Sequence, residues 1–104
     1  MDAKALYEDL ADELCQAAGV EPSTMMGFPC LRHDGDFFAS WDPNAHRLIV
    51  KVPAERVDEL VASGTAVSFA PNGRRFKEWA AIPEADEHTW RELLEEARTF
   101  VSTR

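Results

Sequence analysis

Seven consecutive residues, Gly73-Arg74-Arg75-Phe76-Lys77-Glu78-Trp79, hold the densest chemistry in the chain, with three cations within four residues beside aromatic rings. Arginine presents a planar fork that grips a carboxylate or phosphate at two points, so Arg74, Arg75 and Lys77 are the candidate site for an anion or an acidic protein partner. A competing reading packs Trp79 in the core and pairs the cations with helix carboxylates. If a strand begins near Phe76, alternation sets Phe76 and Glu78 on one face, Lys77 and Trp79 on the other, and leaves Arg74 and Arg75 at the turn.

Other reactive residue types lack the spacing that chemistry needs. His33, His46 and His88 have Asp34, Asp36 and Asp42 among their neighbours in sequence, but no pair shows the H-x-x-x-H or C-x-x-C interval of a metal site. Cys30 lies in an apolar stretch, where a thiol packs and stays inert. Asp34 and Asp36 flank Gly35 as turn residues do. With no glycine-rich phosphate loop and no Gly-x-Ser-x-Gly elbow, the sequence offers no catalytic residue, no metal ligand set and no cofactor site, and we read it as a non-enzyme.

Net charge is −8, and it is unevenly placed. Met1 to Thr24 contributes −5 and Pro83 to Arg104 contributes −3, while the middle is balanced. Four phosphate contacts from Arg74, Arg75, Lys77 and one of Arg32, Arg47 or Lys51 would give a salt slope of only about −3.6, so strong DNA binding by the isolated chain is not expected. No apolar run reaches bilayer length and the N-terminal stretch is acidic, which points to a cytoplasmic protein without a membrane partner. Cys15 and Cys30 fit no redox spacing and are expected as free thiols.

Periodicity supplies the elements that would position these residues. Leu6, Tyr7, Leu10, Leu14, Ala17 and Ala18 mark one face of a helix over Asp2 to Ala18, stopped by Gly19, with Pro22 and Ser23 as loop. Three strands follow, Met25 to Arg32, Asp36 to Trp41 and His46 to Val52, joined at Asp34-Gly35 and Asp42-Pro43-Asn44. Pro53 to Gly64 frames a second helix with Val57, Leu60 and Val61 inward. Ala66 to Ala70 and Phe76 to Ile82 form a hairpin across Pro71-Asn72-Gly73, and Asp86 or Thr89 caps a last helix whose face is Trp90, Leu93, Leu94, Ala97, Phe100 and Val101. The order α-β-β-β-α-β-β-α predicts one α+β domain over residues 1–104, a five-stranded antiparallel sheet with all helices on one face and the other face partly open.

Within this layout, Met25-Met26-Gly27-Phe28-Pro29-Cys30-Leu31, Asp34-Gly35-Asp36-Phe37-Phe38-Ala39, Leu48 to Val52 and Phe69 to Trp79 together resemble the N-terminal domain of the TfoX (Sxy) competence-regulator family in its short stand-alone form. The YjbR/MmcQ family is a weaker resemblance. The likeness implies a secretion-chaperone-like fold and a regulatory or adaptor role. Met26 stands where that family often has Phe, and the second domain of the full-length regulators is not part of this sequence. The expected function is therefore a non-catalytic binding domain for a protein partner, with a homodimer possible. The alternatives are a nucleic-acid-associated transcription or competence regulator and a small-molecule-binding protein or enzyme.

Overall fold

Asp2 starts the first helix by accepting the Lys4 backbone N–H at 3.2 Å on its side chain, which satisfies one of the donors a helix N-terminus leaves free. In the computed structural model, which describes residues 2–25, 27–70 and 73–103, this helix, α1, spans Ala3–Leu14. It ends earlier than the spacing predicts. Cys15 caps it, residues 15–19 form turns, and Gly19 at φ +84° swings the chain into an edge strand, β1 (Val20–Met25). A Cβ at Gly19 would lie 2.6 Å from Asp34 Oδ1, and the Asp34 amide bonds the Gly19 carbonyl at 2.9 Å, so glycine is needed for both conformation and space.

The sheet therefore has six strands, not five. The segment containing Pro22 and Ser23 pairs antiparallel with β2 (Phe28–His33) along its whole length. An edge strand needs hydrogen bonds on one side only, so it tolerates proline and shows no apolar alternation. Next come β3 (Asp36–Asp42), β4 (Arg47–Lys51), α2 (Ala54–Ala62), β5 (Val67–Ser68), β6 (Trp79–Ile82) and α3 (Glu87–Ser102). The strand order is β1-β2-β3-β4-β6-β5, and every pairing is antiparallel. The chain crosses from β4 through α2 to the far edge and returns through β6.

One face of the sheet meets the three helices. Leu31, Ala39, Val50 and Ala80 lie in one register row, and Trp41, Leu48 and Ile82 in the next. These residues join Leu6, Tyr7, Leu10 and Leu14 of α1, Val57 and Leu60 of α2, and Trp90, Leu93, Leu94, Ala97 and Val101 of α3 in a single cluster. Trp41 is its centre, with its ring 6.0 Å from Tyr7 and 6.4 Å from Trp90. Such pairs contribute about 0.5–1.5 kcal/mol beyond the area they bury. Trp90 Nε1 donates to the Glu84 carbonyl at 2.8 Å, so its polar edge is satisfied inside the core.

The predicted strand from Phe76 is shorter than expected. Residues 74–76 have no regular structure and 77–78 form a turn, so the alternation assigned to Phe76 and Lys77 does not apply. Phe76 N bonds the Phe69 carbonyl at 3.0 Å and Trp79 N bonds the Phe76 carbonyl at 3.2 Å, closing a compact loop before β6. Met26, Pro71 and Asn72, which belonged to the predicted first strand and hairpin turn, lie outside the described residues. No helix among the described residues is long and apolar enough to cross a membrane.

Candidate binding surface

The sheet face turned away from the helices is built from the opposite set of side chains. Ser23, Cys30, Ser40, Ile49, Ala81 and Val67 form one row across all six strands. Cys30, Ser40, Ile49 and Ala81 are buried although none belongs to the helix-side cluster. Two positions along each strand stand taller neighbours: Arg47 and Lys51 flank Ile49, Trp79 flanks Ala81 and Asp42 flanks Ser40. The Ser40 hydroxyl donates to the Pro29 carbonyl at 3.1 Å.

Cations face aromatic rings at two places on this side. Glu21 pairs with Arg32, which faces Phe37, and Lys51 faces Trp79. The Arg32 guanidinium sits 5.7 Å from the Phe37 ring centroid and the Lys51 ammonium 5.8 Å from that of Trp79, both within cation–π range. A β-bulge between Leu31 and Arg32 makes this possible. Arg32 takes Phe37 as its register partner and Phe38 has none, so Phe38 enters the core cluster beside Ala39 while Phe37 stays with Arg32.

The loop that the sequence singled out joins β5 to β6. Phe69 and Phe76 stack with ring centroids 5.8 Å apart at 31°, and Val67 and Phe76 remain 43% and 42% exposed. Arg74, Arg75 and Lys77 are all exposed, but they are not equivalent. Arg75 reaches Asp58 of α2 at 2.5 Å, whereas Arg74 and Lys77 have no ion pair among the described residues. Trp79 is half-buried over Lys51 instead of packed in the core. The sequence reading puts Arg74 and Arg75 at a turn and names Lys51 only as one of three options for a fourth contact, while Phe37 and the edge strand carrying Glu21 lie outside its candidate site. Alternation of Ile49 and Lys51 against Leu48 and Val50 is the signal that points to Lys51.

Charge is divided between the two sides. The three helices carry eleven carboxylates against four cations, Lys4, Arg56, Arg91 and Arg98. Six further described cations, Arg32, Arg47, Lys51, Arg74, Arg75 and Lys77, lie on the helix-free face or its loop, where Glu21 and Asp42 pair with Arg32 and Arg47 at 2.7 and 3.1 Å. Asp42 is further committed to holding its turn, accepting the Asn44 and Ala45 amides at 3.0 and 3.2 Å.

The histidines are separated by the fold. His33 faces Asp34 at 3.5 Å, His88 faces Glu92 at 3.6 Å, and His46 lies edge-on to Trp41. Among the described residues, no group of three His, Cys, Asp or Glu side chains could hold a metal ion. Cys15 and Cys30 are free thiols, and burial raises both above the ordinary thiol range, which keeps them protonated and poorly nucleophilic. A cavity of about 130 Å³ between α1 and α3 is lined by Leu10, Leu14 and Leu94 under an Arg91–Glu13 ion pair. No protein-family model matches the chain, and no curated protein and no solved structure shows significant similarity to it.

Proposed function

We propose that this chain is a non-catalytic binding domain, an adaptor or regulatory module of the kind its TfoX-like motifs imply, and that it engages a protein partner through the helix-free sheet face and the loop from Gly73 to Glu78. The observation that carries the reading is the exposure of Val67 and Phe76, with Arg74 and Lys77, which have no ion pair among the described residues, in the same loop as Phe76. Apolar anchors bordered by charge are the composition of protein interfaces. The sheet edges are poorer candidates. One contains Pro22 and the other offers only the two residues of β5, so neither gives an added strand a long hydrogen-bonding template.

Capture from an extract of the native cells tests the reading when it is run with wild type, with Phe76→Ser, and with Arg74→Ala and Lys77→Ala combined. A partner protein retained by wild type and lost by both variants supports it. Retention by folded variants places the contact elsewhere.

A further inference from the structure

Three features of the helix-free face and of the loop joined to it converge on one kind of ligand. Lys51, Arg74 and Lys77 have no carboxylate partner among the described residues, in contrast with Arg32, Arg47 and Arg75, which are paired. Trp79 supplies apolar surface beside Lys51, and exposed Phe76 lies between Arg74 and Lys77 in the loop. The helices on the opposite side hold the bulk of the negative charge, which repels an acidic ligand there and favours its approach to the sheet and loop.

We infer that the site takes an acidic segment of a partner protein, an extended stretch whose carboxylates meet Lys51, Arg74 and Lys77 while its apolar side chains rest on Trp79 and Phe76. This rests on the protein-partner reading above and names the chemistry of that partner. A single-stranded nucleic acid would present charge of the same sign, but it would stack its bases on open rings. Here the Trp79 ring is already faced by Lys51 and the Phe37 ring by Arg32. A carboxylate ligand leaves both cations where they are. Three unpaired cations also suit a segment with a few carboxylates better than a polyanion whose affinity grows with each phosphate neutralised.

The test titrates the whole isotope-labelled chain with three probes: a short peptide of glutamate, leucine and serine; the same peptide with lysine for each glutamate; and a short oligothymidylate. The glutamate peptide is expected to shift the amides of Lys51 and of residues 74–79, and Lys51→Ala with Arg74→Ala and Lys77→Ala is expected to weaken it by about tenfold or more at unchanged melting temperature. Equal binding of the lysine peptide, tighter binding of the oligothymidylate, or no localised shift with any probe at millimolar concentration overturns the inference. Photo-cross-linking from position 76 in native cells judges the protein-partner reading separately, so an acidic ligand can be rejected while a protein partner stands.

Discussion

Lys51 and Trp79 are register partners on neighbouring strands, and the ammonium lies 5.8 Å from the indole centroid on the face that no helix covers. The pair joins the sheet to the basic loop, because Trp79 is at once the first residue of β6 and the last support of the turn that presents Lys77. Trp41 and Trp90, at 2% and 0% exposure, are sealed in the core.

Collisional quenching follows from this arrangement. Trp79 is expected to account for nearly all quenchable emission, and iodide to act more strongly than caesium because Lys51 concentrates anions beside the ring. Lys51→Ala should remove the difference between the two quenchers. Equal quenching by both ions in wild type would contradict the placement of the ammonium.

Stability should separate the loop from the strand. Arg74→Ala with Lys77→Ala is expected to change unfolding free energy by less than about 1 kcal/mol, since exposed charges contribute little. Trp79→Ala is expected to cost about 1–2 kcal/mol, below the value for a core tryptophan, because the ring is only half-buried. Chemical denaturation of both variants checks this, and a loss above about 3 kcal/mol in the double variant would make the cations part of the scaffold.

Leu94→Ala tests the helix-side core. The residue is 1% exposed in the middle of the α3 stripe, and truncation is expected to cost about 2–5 kcal/mol by leaving a cavity. A change under about 0.5 kcal/mol in the denaturation midpoint analysis would contradict the packing of α3 against the sheet.

Tyr7 gives the pH dependence. Its hydroxyl is buried without a hydrogen-bond partner among the described residues, and burial, followed by the charges of Cys30 and Cys15, pushes its pKa well above the ordinary phenol value. The folded chain therefore keeps a proton that the unfolded chain releases near pH 10, so stability is present below about pH 10 and falls as pH rises beyond it. Tyr7→Phe is expected to flatten that alkaline loss and, at neutral pH, to match or exceed wild type by up to about 1 kcal/mol, because no partner is orphaned. The raised thiols of Cys15 and Cys30 add a decline that starts lower, from about pH 8.5, and persists in the variant. Denaturation at pH 7 and at alkaline pH reads both effects.

The α3 stripe and the inward alternation of Leu48 and Val50 were legible in the sequence because burial on one face imposes a period on it. β1 was not, since pairing on one side imposes no such period and Pro22 masks the strand. The bulge that separates Phe37 from Phe38 was equally hidden: consecutive phenylalanines look alike in sequence, and only the pairing of Arg32 with Phe37 assigns them to opposite faces. At the candidate site the loop cations stood out as a cluster, but Lys51 lies 23 residues before Arg74, and only the register of β4 against β6 brings it to Trp79.

A photo-activated cross-linker placed in turn at position 76 and at position 99 on α3 measures directly which side of the molecule meets a partner. Both residues reach the surface, Phe76 on the loop and Thr99 on the acidic helix. In native cells, position 76 is expected to give one dominant protein adduct, reduced by Arg74→Ala with Lys77→Ala, and position 99 to give none. An adduct at position 99 with no protein adduct at position 76 would put the partner on the helical side and overturn the assignment of the loop.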